Sequence, residues 1–243
     1  AWLEKRGESG VRDVHGGLIP FLATLGAILG LLVLQPDVGT MSIIAGMVLV
    51  VYFVAGAPLA YVGGLVMAGI SAIAMLIGFA PYRAARFTTF LNPELDPQGI
   101  GYHINQALLA IGSGGFFGLG YGHSRQKFQY LPEVASDSIF AVIGEEMGLV
   151  VAVGVLALFV WFLFRTLKIA NEAPDKFGKY VATGIGAWLV LQAFVNIGSM
   201  VAIMPMTGVP LPFISYGGTS LAVSLWAVGV VLNISRYGKG KSD

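Results

Sequence analysis

The sequence predicts an all-α integral membrane protein, a polytopic helical bundle of six transmembrane helices with one large extracytoplasmic loop. Three observations carry this. Of the 243 residues, 56% are hydrophobic and only 11% are charged, less than half of the roughly 25% charge content of a soluble domain. Six runs qualify as bilayer-crossing helices, which need roughly 20 mostly apolar residues. Between the third and fourth runs lies one long connection, residues 81–137.

The composition also excludes functions. A formal net charge of +1 without a basic run argues against nucleic-acid binding. Cysteine is absent, so neither a disulfide framework nor a thiolate metal site can form. His103 and His123 stand alone in the sequence, without metal-ligand spacing of the HExxH kind, so no metal site is predicted. The glycines of GLGYG at 118–122 do not follow a strand, and a dinucleotide fold is unsupported.

The chain opens AWLEKRGE, which reads as the end of one helix running into a polar loop. With no initiator Met and no signal peptide, it is expected to be a fragment, residues 1–243 forming a single transmembrane domain. The first span, 18–34, stops at Gln35-Pro36-Asp37, where the Pro breaks the helical pattern. Spans 38–57 and 60–80 turn around Gly56-Ala57-Pro58. The remaining spans are 138–164, 180–204 and 217–235.

Cation placement sets the expected orientation. Lys5, Arg6, Arg12, Arg165, Lys168, Lys176, Lys179, Arg236, Lys239 and Lys241 fall on one side, ten of the 14 Lys and Arg residues. That side is expected to be cytoplasmic and holds both chain ends. Arg83, Arg86, Arg125 and Lys127 fall outside.

A connection as long as 81–137 is usually functional or disordered, and its retained apolar content argues for order. Tyr102 to Ile111 predicts an amphipathic helix lying at the interface, ended by the glycines at 112–115, with Phe116-Phe117 dipping into lipid. The second outer loop, 204–220, holds three Pro and three Gly, a backbone that membrane depth tolerates only inside protein or beside a cavity.

Charges crowd into residues 125–148, which include Arg125, Lys127, Glu133, Asp137, Glu145 and Glu146. Ionisable groups at a lipid boundary are functional by default. Asp137 lies between Ser136 and Ser138 just before an apolar run, so it is either a helix cap or a general base at the outer surface. Glu145 and Glu146 fall about two turns further, roughly 12 Å deeper. At 100° per residue, only Glu145 can share a face with Asp137, and Glu146 is assigned to structure. Arg83 and Arg86 read as interfacial cations, whereas Lys127 and Arg125 suit phosphate recognition. Asp37 reads first as a structural hydrogen-bond acceptor, with an ion site as the other reading.

Four segments together carry a resemblance. QPDVGT (35–40), GYHINQALLAIGSGG (101–115), QKFQYLPEVASDSIFAVIGEEMG (126–148) and NIGSMVAIMPMTGVPLPFISYGGTS (196–220) are similar, in order, to the SEDS family (shape, elongation, division and sporulation), whose FtsW and RodA types build bacterial cell wall. Gln126-Lys127 resembles the FtsW type, while HIN and MTGVPLPF are closer to the RodA type; the FtsW type is favoured. Family members often read Thr-Asp-Phe where this chain has Ser136-Asp137-Ser138. The resemblance implies ten spans, the first four missing from this chain.

The resemblance further implies a peptidoglycan glycosyltransferase polymerising lipid II at the outer face of the bacterial cytoplasmic membrane, with inversion of configuration. Asp137 matches the essential loop aspartate. Lys127, Arg125, Glu133, Ser215 and Tyr216 become candidate substrate-binding residues, and Asp37 and Glu145 candidate supporting ones. The diphosphate leaving group calls for cations or a divalent ion such as Mg²⁺ or Mn²⁺. The implied partners are lipid II, a class B penicillin-binding protein transpeptidase and other divisome or elongasome proteins. Two rival readings are a lipid II flippase and a non-catalytic scaffold of the division or elongation complex. One-sided placement of the irregular segments, with no inverted repeat, speaks against transport.

Overall fold

The computed structural model describes every residue except Pro36, Ala80, 128–130 and 239–243, and also leaves out the side chains of 79 and 81–83. Lys239, Lys241 and the Arg83 side chain therefore lie outside the described residues. Among the described residues nine α-helices follow in order: α1 Trp2–Arg12, α2 Ile19–Leu34, α3 Val38–Val54, α4 Leu59–Phe79, α5 Pro81–Leu91, α6 Ile100–Gly114, α7 Ile139–Glu172, α8 Lys176–Met200 and α9 Gly218–Arg236. A π-helical turn, Val14–Leu18, leads into α2, and a 3₁₀ turn, Pro93–Leu95, precedes α6. No strand occurs among the described residues.

Among the described residues five helical stretches are long and apolar enough to cross a membrane: Val14–Leu34, Leu59–Gly78, Ile139–Glu172, Lys176–Met200 and Gly218–Arg236. The sixth expected span, α3, is apolar but has 17 residues. At 1.5 Å per residue it reaches about 25 Å, just under the hydrocarbon thickness. Backbone amides satisfied within each helix are what permits this chain to enter lipid.

The chain divides into two compact units. The first comprises Ala1–Ala72, Trp161–Leu191 and Val223–Asp243. Its core gathers Val11, Phe21, Leu25, Tyr52, Ala55 and Tyr180, with Phe21 and Tyr52 stacked at 4.0 Å. The opening helix breaks at Gly7 (φ 65°), a backbone conformation open to glycine. Asp37 accepts the Thr40 amide at 2.9 Å and so caps α3, the structural reading of that residue.

The second unit comprises Ile73–Val160 and Gln192–Ala222 and contains the long connection 81–137. α6 forms where the amphipathic pattern predicts a helix. Asp96 accepts the Ile100 amide at 2.9 Å and starts it. Gly101, Ile104, Ala107, Ala110 and Gly114 make its buried face, the i, i+3, i+4 stripe of an amphipathic helix. That face packs into a core of Leu131, Phe140, Ala141, Ala193, Ile197, Met200, Met206 and Leu211. Phe116 and Phe117 remain exposed.

α7 is not one uninterrupted helix. Gly148 has φ 78° and ψ 179°, which breaks the backbone ladder. The freed groups are satisfied by the glycine-rich return 115–120. Leu119 and Gly120 amides donate to the Glu145 and Glu146 carbonyls at 2.9 Å each, while Leu149 and Val150 amides donate to the Gly115 and Phe116 carbonyls at 2.9 and 3.3 Å. A buried backbone break needs such replacement partners. The exchange requires close backbones: a Cβ at Gly148 would overlap the Gly118 nitrogen, and one at Gly118 would overlap the Glu146 carbonyl.

Candidate active site

Asp137 ends the long loop, two residues before α7, and is 8% exposed. Among the described residues its carboxylate accepts no bond from the first turn of α7, so a capping role does not account for it. The preceding turn is made by Glu133, whose positive φ of 48° curls the backbone so that its carbonyl accepts the Ser136 and Ser138 amides at 3.0 and 3.3 Å. The Glu133 side chain itself is exposed.

The second irregular loop runs beside Asp137. Asn196 on α8, fully buried, donates from its side-chain nitrogen to the Asp137 carbonyl at 2.7 Å and to the Val209 carbonyl at 2.8 Å. Gln192, one turn earlier on α8, donates to the Pro210 carbonyl at 2.8 Å. The Tyr216 amide donates to the Ala135 carbonyl at 2.7 Å. The Leu211 amide donates to the Ser215 hydroxyl at 2.7 Å, closing a turn within the loop. Gly208 adopts φ 69°, and a Cβ there would lie 3.9 Å from Asp137 Oδ2. Ser215 thus accepts within the loop's own turn and keeps its hydroxyl proton to donate, whereas Tyr216 is 84% exposed.

His103, solitary in the sequence, has a partner in the structure. Its Nε2 lies 2.6 Å from the Ser138 hydroxyl, which also donates towards the Pro132 carbonyl at 2.8 Å and lies 3.5 Å from Asp137 Oδ1. Burial pushes the Asp137 carboxyl above its ordinary range; His103, the aspartate's own backbone amide and Ser138 oppose the shift, and Glu133 adds to it. Burial pushes His103 down, opposed by the charges of Asp137 and Glu133. The His123 ring, by contrast, lies 3.1 Å from the nearby Tyr121 carbonyl, and its amide donates to the Gly120 carbonyl at 3.1 Å.

The other charges of the 125–148 stretch form a separate cluster. Glu145 is 1% exposed and accepts from the Ser124 hydroxyl at 2.5 Å, the Arg125 amide at 3.0 Å and the Gln126 amide at 3.3 Å. Glu146 accepts from Lys127 Nζ at 2.6 Å and from the Ser124 amide at 3.3 Å. The two carboxylates thus fasten the 124–127 loop to the first segment of α7. Glu145 is brought to that loop and makes no contact with Asp137 among the described residues. The Arg125 side chain is exposed. Sequence reasoning missed Ser124, Asn196, Gln192 and the His103–Ser138 pair; the segments GYHIN and NIGSM flagged two of them only as pieces of motif.

Among the described residues no three His, Asp or Glu side chains gather to hold a metal ion.

Membrane-spanning helices carrying a buried, uncapped aspartate at the end of an ordered polar loop define a multi-pass membrane protein with a candidate acid–base site beside the membrane-spanning region. The comparisons place it further. The model of the FtsW/RodA/SpoVE family of cell cycle proteins matches residues 1–240, and the chain belongs to that family. It is 44% identical over 232 residues to stage V sporulation protein E of Bacillus subtilis, covering 96% of this chain and 63% of that protein. It is 41% identical over 225 residues to a probable peptidoglycan glycosyltransferase FtsW of Trichlorobacter lovleyi, covering 93% of this chain and 59% of the relative. The chain thus spans about three fifths of the length of these relatives.

Solved structures agree. One described as the structural coordination of polymerization and crosslinking by a peptidoglycan synthase complex superposes with a TM-score of 0.76 at 30% identity, covering 98% of this chain and 67% of that one. The rod shape determining protein RodA of Thermus thermophilus superposes with a TM-score of 0.57 at 30% identity, covering 93% of this chain and 58% of that one.

Proposed function

We propose that the protein is a peptidoglycan glycosyltransferase that polymerises lipid II, with Asp137 as general base. One observation carries the reading: a carboxylate 8% exposed, with no capping role, held between two ordered loops at the end of a membrane-associated segment. Support comes from relatives named as probable peptidoglycan glycosyltransferases. In this reading Asp137 takes the proton from the 4-hydroxyl of the acceptor N-acetylglucosamine. The oxygen attacks the anomeric carbon of the donor N-acetylmuramic acid, and undecaprenyl diphosphate leaves. One displacement converts the α-linked diphosphate into a β-1,4 bond.

Arg125 and Lys127 are the proposed cations for the diphosphate. Lys127 is held by Glu146 at 2.6 Å, which orients the ammonium while sharing its charge; Arg125 is exposed and suited to bidentate phosphate contact. The exposed Tyr216 and Glu133 are proposed to face the sugar chain. The same reading places the protein in the bacterial cytoplasmic membrane with both ends of this chain inside. Its proposed partner is a class B penicillin-binding protein transpeptidase, supported by a solved relative that belongs to a peptidoglycan synthase complex.

The test is a lipid II polymerisation assay with the purified whole protein. Asp137→Asn is expected to lower the rate by about 10²–10⁴-fold, the usual contribution of a general base, with thermal unfolding showing an intact fold. A normal rate in Asp137→Asn would sink the assignment. Lipid II flipping in liposomes unaffected by the substitution would favour the transporter reading instead.

A further inference from the structure

Asp137 and Ser138 are 8% and 0% exposed, whereas His103 on α6 is partly exposed. The Ser138 hydroxyl stands where three groups converge: His103 Nε2 at 2.6 Å, the Pro132 carbonyl at 2.8 Å and Asp137 Oδ1 at 3.5 Å. A serine hydroxyl has one proton and two lone pairs, so it can donate to only one of these at a time. When Nε2 carries a proton, the imidazole donates to Ser138 and the hydroxyl turns to Pro132 or Asp137. When Nε2 is bare, the hydroxyl donates to it and can accept from Asp137 once that carboxyl carries a proton. The second state joins the buried carboxyl to the partly exposed imidazole in one donor–acceptor chain.

We propose that His103 is a positioning residue that takes up, through the Ser138 hydroxyl, the proton Asp137 removes from the acceptor sugar. This rests on the polymerase reading above. The proton balance is closed. The acceptor hydroxyl protonates the Asp137 carboxylate. The resulting carboxylic acid donates to Ser138 Oγ as the serine proton moves to His103 Nε2. Carboxylate and hydroxyl are regenerated, and the imidazolium returns the proton to water on the open side of α6. No bonds other than O–H and N–H change.

The surroundings favour such a transfer. Burial pushes Asp137 up and His103 down, so the two proton affinities move towards each other. The charges acting on His103 are Asp137 across Ser138 and Glu133 on the preceding turn, both anionic and both stabilising the imidazolium.

The experiment is the pH dependence of lipid II polymerisation by the whole protein, comparing wild type, His103→Gln, His103→Ala and Ser138→Ala. Glutamine fills the same space and can bond Ser138 but cannot take a proton. His103→Gln is expected to lose about tenfold or more in turnover near neutral pH and to lose the limb of the profile that titrates in the histidine range. Added imidazole is expected to rescue His103→Ala. An unchanged rate and profile in His103→Gln overturns the proposal. So does a slowed His103→Gln whose profile keeps its shape, combined with no imidazole rescue of a His103→Ala protein that melts like wild type. Either result leaves the polymerase reading standing. A wild-type protein that fails to polymerise lipid II overturns that reading, and the relay with it.

Discussion

Asn196 donates its side-chain amide to the main-chain carbonyl of Asp137 at 2.7 Å, and the same nitrogen serves Val209 at 2.8 Å. One fully buried side chain on α8 thus ties the segment bearing the candidate base to the loop that runs beside its carboxylate. Both acceptors are main-chain groups, so the clamp sets backbone position.

Removing that clamp is the first prediction. Asn196→Ala leaves two buried carbonyls short of a donor, each worth about 1–3 kcal/mol. The expected outcome is a lower melting temperature in detergent and a fall in polymerisation turnover larger than any rise in KM. Asn196→Asp should fare no better, because it has no amide to donate.

The second prediction concerns Lys127 and Glu146, paired at 2.6 Å with Glu146 the more buried partner. Lys127→Met leaves that carboxylate the Ser124 amide but no counter-charge and should destabilise the protein by about 1.5–3 kcal/mol, the worth of a hydrogen bond to a charged group. Adding Glu146→Gln should recover most of the lost stability. If Lys127 also binds the diphosphate, the double variant keeps a raised KM for lipid II while its melting temperature returns. Recovery of both would assign the lysine to structure alone.

Much of this arrangement was legible in the sequence, and the misses have physical causes. Apolar runs near 20 residues announce membrane helices because lipid demands internal hydrogen bonding, and the α6 stripe is visible because its faces differ in polarity. The break at Gly148 was not, since IGEEMGLV reads as a continuing helix. Its partner is the 115–120 return, some thirty residues earlier, and only the folded chain shows that backbone exchange. The pairing of His103 with Ser138, and of Asn196 with Asp137, is likewise a product of tertiary packing across 35 and 59 residues of chain. Asp137 stood out because a charge at a lipid boundary is rare, whereas a buried asparagine in an apolar helix carries no comparable signal.

The third prediction tests that exchange. Gly148→Ala places a side chain where φ is 78° and where the Gly118 backbone already lies. Strain and overpacking together should destabilise by at least ~2 kcal/mol. Because the 115–120 return and the 124–127 loop both lean on this part of α7, hydrogen exchange is expected to rise first at the Leu119, Gly120, Leu149 and Val150 amides. Uniform loosening of all helices, with those four amides still protected, would contradict the assigned role of the break.

The fourth prediction follows from the raised pKa of Asp137. A carboxyl with a higher pKa in the folded state binds its proton more tightly there than in the unfolded chain. The stability this contributes is therefore fully present below the unfolded carboxyl pKa and is lost as pH rises through the folded value. At neutral pH the ionised, 8% exposed carboxylate works against the fold. Asp137→Asn, which removes the charge and keeps the shape, should raise the melting temperature at pH 7 and leave it unchanged in acid below the ordinary carboxyl range. Activity runs the opposite way, since a general base must be ionised to act. The acid limb of kcat/KM for lipid II should accordingly lie above the ordinary aspartate range and disappear in Asp137→Asn along with the rate. A stability gain at pH 7 coupled to a loss of turnover in one substitution is the mark of a carboxylate kept for chemistry at the expense of the fold. A substitution that is neutral in both measurements would remove Asp137 from the site.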